Sequence, residues 1–202
     1  MKYIDFDIKN PNCIHCFMSD RVAATVYSEV LANGKNETGG VFIGYIINRI
    51  WYIVEAVDAG MRTVNSEVFF EWDKSYVNHQ IKKLSPIYRI PLTVLGFWHR
   101  HPGDMNFFSG TDENTIQENL RNMRLGLLSM LVNTDPKLRM TIYYCYGDDI
   151  MKIRYDIGDD YFPDEYLCYA SSADIEARAA KEGRKLEIFY EPVFKPEELK
   201  LN

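Results

Sequence analysis

Residues 91–112 read PLTVLGFWHRHPGDMNFFSGTD, and this segment is the most informative part of the sequence. Its opening part, PLTVLGFW, is a short apolar run with β-branched residues, which predicts a buried strand leading into the histidines. Side chains two positions apart on a strand point to the same face, so His99 and His101 face one way and Arg100 the other. Pro102 has no amide hydrogen to donate to a neighbouring strand, and we expect the strand to end there.

The second part of the segment predicts the start of a helix. Ser109 is a favourable N-cap residue. Apolar side chains follow at helical spacing, namely Ile116, Leu120 and Met123. Asp112 then lies in the first turn, where its carboxylate can point back toward the end of the strand. Two imidazoles and one carboxylate are a plausible ligand set for zinc, and three ligands leave one coordination position open, as catalytic zinc sites do.

Each feature of the segment also has a plainer interpretation. A Ser-x-x-Asp pair before a helix is often only a capping box, and a His-x-His pair on a strand is often two hydrogen-bonded polar residues. Here the strand, the proline, the loop, the cap and the acid occur in one order and at one spacing. This combination favours a metal site.

The segment resembles the signature of the JAMM metalloproteases, also called JAB or MPN+ proteins: His-x-His-Pro, six residues, Ser, two residues, Asp. Upstream, ETGGVFIG at 37–44 is similar to the strand that carries the catalytic Glu of this family, and here too it follows an amphipathic helix. The resemblance covers roughly residues 19 to 157. Arg100 is a departure, because eukaryotic members usually have Ser or Thr there, and it indicates a prokaryotic-type branch.

The resemblance implies a fold and a site. The fold is the JAB/MPN architecture, a mixed central β-sheet flanked by helices that is cytidine-deaminase-like, over residues 1–157. The site holds one Zn²⁺ per chain, with His99, His101 and Asp112 as ligands. Glu37 is implied as the general base, and Ser109 as the hydrogen-bond donor to the developing oxyanion.

The resemblance also implies a reaction, the hydrolysis of the bond after the C-terminal Gly of a ubiquitin-like protein, in deconjugation or precursor processing. One alternative is the processing of a sulfur-carrier protein in cysteine or cofactor biosynthesis. Another is a non-catalytic MPN scaffold, although such relatives usually lack the zinc ligands. The expected partners are the substrate protein and activating and conjugating enzymes of the same operon.

Composition agrees with a small enzyme. The 202 residues are 47% apolar, enough to build the core of one domain. A net charge of −6 argues against bulk nucleic-acid binding, which needs a basic face. No apolar run approaches the roughly 20 residues that span a bilayer, and the N-terminus does not resemble a signal peptide. Four cysteines without a disulfide-rich pattern fit a reducing cytoplasm, which is the expected location.

The remaining sequence alternates between predicted helices and strands, which predicts an α/β fold with a mixed sheet. Helices are expected at 19–33, capped by Ser19 or Asp20, and at 73–84. Strands are expected at 41–47, 50–57, 125–132, 138–146 and 150–157, and the last of these alternates in polarity as a half-exposed strand does. The apolar stripe of the first helix is predicted to comprise Val22, Ala23, Val26, Tyr27, Val30 and Leu31. Residues 58–71 are predicted to be an irregular connection.

Two regions stay open on sequence grounds. Residues 158–202 form a C-terminal extension, with a helix expected at 172–183 and an extended run at 186–194. The extension either packs over one face of the domain or binds a substrate or partner. Cys13 and Cys16 flank His15 in a Cys-x-x-Cys pattern, which is either a metal knuckle or redox pair or simply two buried or surface thiols.

Overall fold

The computed structural model describes residues 1–4, 14–66, 70–101 and 103–184. Its strands are β1 (Lys2–Ile4), β2 (His15–Met18), β3 (Gly39–Ile47), β4 (Ile50–Val57), β5 (Val64–Asn65), β6 (Phe70–Glu71), β7 (Thr93–Arg100), β8 (Leu127–Asn133), β9 (Arg139–Tyr146), β10 (Asp149–Lys152) and β11 (Tyr155–Ile157). Its α-helices are α1 (Asp20–Ala32), α2 (Lys74–Leu84), α3 (Gly110–Leu120) and α4 (Ser172–Lys181), and short 3₁₀ turns span Ser85–Ile87, Asp159–Tyr161 and Asp164–Tyr166. No helix in these described ranges is both long and apolar enough to cross a membrane.

The strands form a mixed sheet, which confirms the predicted fold class. Its order is β1-β10-β9-β8-β7-β3-β4-β2-β11, and β5 with β6 makes a separate two-stranded ribbon. Strand β7 pairs in parallel with β8 and antiparallel with β3, so the central strands carry both orientations. Helix α1 packs against one face of the sheet and α2 packs against the opposite face. Each helix contributes to its own apolar cluster.

The sheet is strongly curled. Strand β10 ends at Lys152 and β11 begins at Tyr155, yet β10 pairs with β9 while β11 pairs with β2 at the far edge. The Tyr155 hydroxyl donates to the Met140 carbonyl at the start of β9. Trp51 on β4 also meets Tyr144 on β9 edge to face, with ring centroids 5.7 Å apart, although these strands are not neighbours.

This curl makes the prediction of one strand at 150–157 wrong. The chain changes its pairing partner between β10 and β11, and polarity alternation cannot reveal such a change because both parts alternate. The predicted alternation is seen from Met151 to Arg154, where Lys152 and Arg154 are exposed, but Ile150 on the predicted exposed face is buried. Ile150 packs in a cluster with Leu127 and Leu131, while Met151 packs in the cluster below α1, so both side chains are buried.

Helix α1 follows its predicted apolar stripe with one exception. Ser19 caps the helix, with its hydroxyl accepting from the Val22 amide, and the stripe residues Val22, Ala23, Val26 and Val30 are buried. Leu31 is 68% exposed and was wrongly included in the stripe. The helix ends one residue later, at Ala32, where the chain turns away toward β3.

The chain after β11 returns to the face that carries α2. Phe162, Tyr166 and Leu167 join the same apolar cluster as Val77 of that helix. The helix expected in this region is observed as α4, and its Arg178 guanidinium donates to the carbonyls of Pro86, Tyr88 and Arg89. The run predicted at 186–194 lies outside the described residues.

Candidate metal centre

Strand β7 ends at the centre of the candidate site, and β3 lies close beside it. Gly39 pairs with His99 and Gly40 pairs with Trp98. A Cβ atom on Gly39 would lie 2.4 Å from the Trp98 carbonyl oxygen, and one on Gly40 would lie 1.8 Å from the Val57 carbonyl oxygen. Only glycine allows this approach of the strands, which brings the segment around Glu37 next to the histidines.

The predicted ligand set meets at the end of β7. His101 Nε2 lies 3.2 Å from Asp112 Oδ2, and His99 Nε2 lies 3.4 Å from Asp112 Oδ1. The candidate ligand atoms of the three residues all lie within 4.8 Å of one another. Within the described ranges, these three residues are the one group of three or more His, Cys, Asp or Glu side chains that lie close enough together to hold a metal ion.

The geometry fits a metal better than it fits direct hydrogen bonds. His99 Nε2 is buried and, among the described residues, has no hydrogen-bond partner, although it faces Asp112 Oδ1. A charge-assisted N–H···O bond would be about 2.7–2.9 Å long. Ligand atoms about 2.0–2.1 Å from a tetrahedral zinc stand about 3.3 Å apart, and each imidazole lies near that distance from one of the two Asp112 oxygens.

Asp112 combines the capping role and the site role that the sequence left as alternatives. Ser109 and Asp112 form a capping box at the start of α3. Asp112 Oδ2 accepts from the Ser109 amide at 2.8 Å and from its hydroxyl at 2.6 Å. The cap therefore fixes the carboxylate in an orientation that faces both histidines.

The protonation states of the ligand set suit a cation. Burial is the main reason that the pKa of His99 is lowered, so its imidazole is neutral at neutral pH. Burial acts to raise the pKa of Asp112, but the imidazoles of His101 and His99 that face its carboxylate and the hydrogen bond from Ser109 outweigh it and leave that pKa well below its usual range. A neutral imidazole and an ionised carboxylate are the forms that bind metal.

Glu37 lies just before β3 and lines the same cleft as the ligand set. Its amide donates to the Ser66 carbonyl at 2.8 Å, which ties it to the segment that follows β5. Burial raises the pKa of its carboxyl, and the negative charge of Asp112 adds to this rise, whereas the charges of His101 and Arg100 oppose it. A carboxyl group with a raised pKa beside a metal site can both take up and release a proton.

The cleft has a volume of about 760 Å³, and the structure brings Glu37, Ser109 and all three candidate ligands to its lining. The motif did not identify its other wall, which includes Trp72 and Lys74 where the ribbon leads into α2. A second hollow of about 610 Å³ shares Trp72, Lys74, Phe97, Asn119 and Asn122 with the cleft, so the two are adjacent. These residues come from three separate stretches of the chain, around the start of α2, on β7 and around the end of α3, and no spacing in the sequence relates them.

The Cys-x-x-Cys pattern does not gain support as a reactive site. Cys16 lies on β2 and is buried, and burial raises the pKa of its thiol far above neutrality. Such a thiol is unreactive at neutral pH. Cys13 lies outside the described residues.

Comparison with known proteins agrees with this geometry. A family profile described as prokaryotic homologs of the JAB domain (Prok-JAB) matches residues 19–145. No curated protein shows a significant match. The solution structure of protein DSY2949 from Desulfitobacterium hafniense matches with a TM-score of 0.55 and 14% identity, covering 70% of this chain and 92% of that one, a likeness of fold alone. The matched residues run from the N-cap of α1 into β9 and include every residue of the candidate site. The chain therefore belongs to the family of prokaryotic homologs of the JAB domain.

Proposed function

We propose that the protein is a zinc-dependent peptidase or isopeptidase that cleaves after the C-terminal Gly of a ubiquitin-like protein. The observation that carries this proposal is the convergence of His99, His101 and Asp112 in a cleft that Glu37 also lines. Membership of the JAB family supports it, because many members are JAMM metalloproteases. A non-catalytic role is less favoured, because such a role would not require a complete ligand set.

His99, His101 and Asp112 would hold the zinc. When bound, zinc supplies a Lewis acid that lowers the pKa of water to about 7 and polarises a carbonyl group. Glu37 accepts a proton from the attacking water, whose oxygen forms a bond to the carbonyl carbon. The C–N bond then breaks, and Glu37 returns the proton to the leaving amine. The raised pKa of Glu37 supports this role, because it favours uptake of the proton that the carboxyl later returns.

Ser109 has to change its hydrogen bond to act on the oxyanion. In this structure its hydroxyl donates to Asp112 Oδ2 at 2.6 Å. In the proposed reaction the hydroxyl turns toward the developing negative charge, while the Ser109 amide keeps its own bond to Asp112 at 2.8 Å. Transition-state donors of this kind typically contribute about a hundred- to a thousandfold in rate.

The shape of the cleft supports an extended substrate. The second hollow adjoins the cleft at Trp72 and Phe97, whose rings lie 5.2 Å apart, and we propose that an extended peptide occupies both, running from the metal centre along the sheet face. Extended peptides are bound mainly through main-chain hydrogen bonds. Glycine alone offers no side chain to clash where the backbone must pass the metal closely, and this favours cleavage after Gly.

Sulfur-carrier processing in cysteine or cofactor biosynthesis is the second candidate, because sulfur-carrier proteins also end in an exposed glycine tail. In either case the proposed partners are the tail-bearing protein and enzymes of the same operon, activating and conjugating enzymes in the first case. We propose the cytoplasm as the location and no nucleic-acid or membrane partner.

A panel of fusion proteins tests the proposal. Ubiquitin-like and sulfur-carrier domains encoded beside this gene are fused through their final Gly to a reporter, and each is matched by a version ending in Val. Mass spectrometry should show cleavage directly after Gly in a native fusion and little cleavage of its Val version. Equal cleavage of both versions, or preferred cleavage of unfolded casein, would indicate a general peptidase instead.

A further inference from the structure

Arg100 lies between the two candidate histidine ligands, but its side chain points to the opposite side of β7, as the alternation predicts. It is 5% exposed. One guanidinium nitrogen donates to the Asn36 carbonyl at 2.7 Å, and the other donates to the Thr134 hydroxyl at 3.0 Å. Its backbone amide donates to the Thr38 carbonyl at 2.7 Å. Arg100 therefore binds Asn36 through its side chain and Thr38 through its main chain, and these two residues flank Glu37.

Burying the Arg100 guanidinium in this position costs folding free energy. Among the described residues Arg100 has no carboxylate partner within 4.0 Å, and its Nε is buried without a hydrogen-bond acceptor. A buried charge is normally paired, and the cost of leaving it unpaired is high. Arg21, by comparison, pairs with the buried Glu55 carboxylate at 2.8 Å. Fold stability alone therefore gives little reason for an arginine at position 100.

Two other contacts of the Glu37 segment do not reach the strand that carries His99. The Glu37 amide donates to the Ser66 carbonyl, and the Thr38 hydroxyl donates to Glu29 at 2.8 Å. Both contacts lead away from the metal centre, to α1 and to the segment after β5. The contacts from Arg100 lead directly to the strand that carries His99 and His101.

We propose that Arg100 is a positioning residue that fixes Glu37 relative to the histidine pair. The inference rests on the proposed role of Glu37 as the base. Arg100 contacts the flanks of Glu37 and not the histidines' side chains, so its loss should displace the base and leave metal binding intact. A displacement of about 1 Å in a catalytic group can cost about a hundredfold in rate.

The first test needs no substrate. The zinc-loaded full chain is compared as wild type, Arg100→Met and the control Arg21→Met by amide hydrogen exchange and metal analysis. We expect exchange of the Glu37 amide to rise about tenfold in Arg100→Met alone, with zinc content unchanged. Unchanged exchange at Glu37, or loss of zinc in step with the faster exchange, would overturn the inference.

The second test separates positioning from general support, using a fusion that the wild type cleaves. Arg100→Met should lower kcat about ten- to a hundredfold per bound zinc with KM little changed. Arg100→Lys should recover part of this loss, and Arg21→Met should match the wild type.

If Arg100→Met does not fold, Thr134→Val frees one end of the guanidinium and should show a smaller effect in the same direction. A wild-type kcat in folded Arg100→Met, or in Thr134→Val where Arg100→Met does not fold, contradicts the inference. If the wild type cleaves no fusion, the proposed function fails, and hydrogen exchange still decides whether Arg100 holds the segment.

Discussion

Ser109 and Asp112 hydrogen-bond to each other in both directions at the first turn of α3. The Ser109 hydroxyl donates to Asp112 Oδ2 at 2.6 Å, and the Asp112 amide donates to the Ser109 hydroxyl at 3.2 Å. The same carboxylate faces His99 and His101. One local device thus starts a helix and orients a candidate metal ligand, and it requires the Ser and the Asp to lie three positions apart.

The chain contains a matched control for this device. Ser171 and Asp174 form the same capping box at α4, and neither residue lines the cleft. We expect Ser109→Ala to keep zinc, to lose about 1 kcal/mol of stability with the cap and to slow turnover about a hundredfold or more. Ser171→Ala should also lower stability but leave turnover unchanged. Thermal unfolding and kcat measured on both variants check this. Equal turnover in the two variants would show that Ser109 has no role in the reaction.

Metal content follows from the ligand geometry. We expect one zinc per chain in protein purified without chelator or added metal, and we expect it to be lost in His99→Ala and in His101→Ala. His79→Ala is the control, because His79 lies exposed on α2, away from the cleft lining. Elemental analysis measures the result. A wild type without zinc, or full zinc in both ligand variants, would refute the site.

The pH dependence of the metal-free chain follows from the buried imidazole. Burial lowers the pKa of His99 below 6.5, its value when unfolded. Between these two pKa values the unfolded chain binds more protons than the folded chain, so stability falls as the pH falls below about 6.5. His99 contributes at most about 1.4 kcal/mol per pH unit to this fall. Urea unfolding between about pH 7 and pH 5 should show a shallower decline in His99→Gln, and an equal decline in both proteins would disprove the shift.

The adjacency of the two hollows predicts a residue that contributes to substrate binding. Trp72 lines both hollows, and its ring contacts the ring of Phe97. Trp72→Ala should raise KM for a ubiquitin-like fusion about tenfold with kcat nearly unchanged, because the contact serves substrate and transition state alike. Tyr161→Ala is the control, since Tyr161 stacks on Phe17 and lines neither hollow. A fall in kcat without a change in KM would place Trp72 outside the substrate path.

The sequence predicted the candidate ligands well because all three lie in one short segment with strict local periodicity. Strand alternation orients His99 and His101, and a helix cap orients Asp112, so no long-range information is needed. Glu37 is different. Its placement beside His99 depends on the pairing of Gly39 with that strand, and only the family resemblance indicated it in advance.

Features that depend on tertiary structure were not predicted. The polarity pattern of 150–157 is the same for one strand as for two, so the separation of β10 from β11 became visible only in the curled sheet. The cleft wall combines Trp72, Phe97 and Asn122, which are far apart in the chain. Strand β2 was missed because a short Cys-containing segment without clear alternation gives little signal.

Cleavage of a native ubiquitin-like fusion by Glu37→Gln, compared with the wild type at equal zinc content, tests the central claim most directly. Gln keeps the shape of the side chain but cannot shuttle a proton. Mass spectrometry over a time course should show wild-type cleavage after the final Gly and, for Glu37→Gln with one zinc per chain, a rate lower by about a hundredfold or more. Cleavage by Glu37→Gln at the wild-type rate would contradict the account.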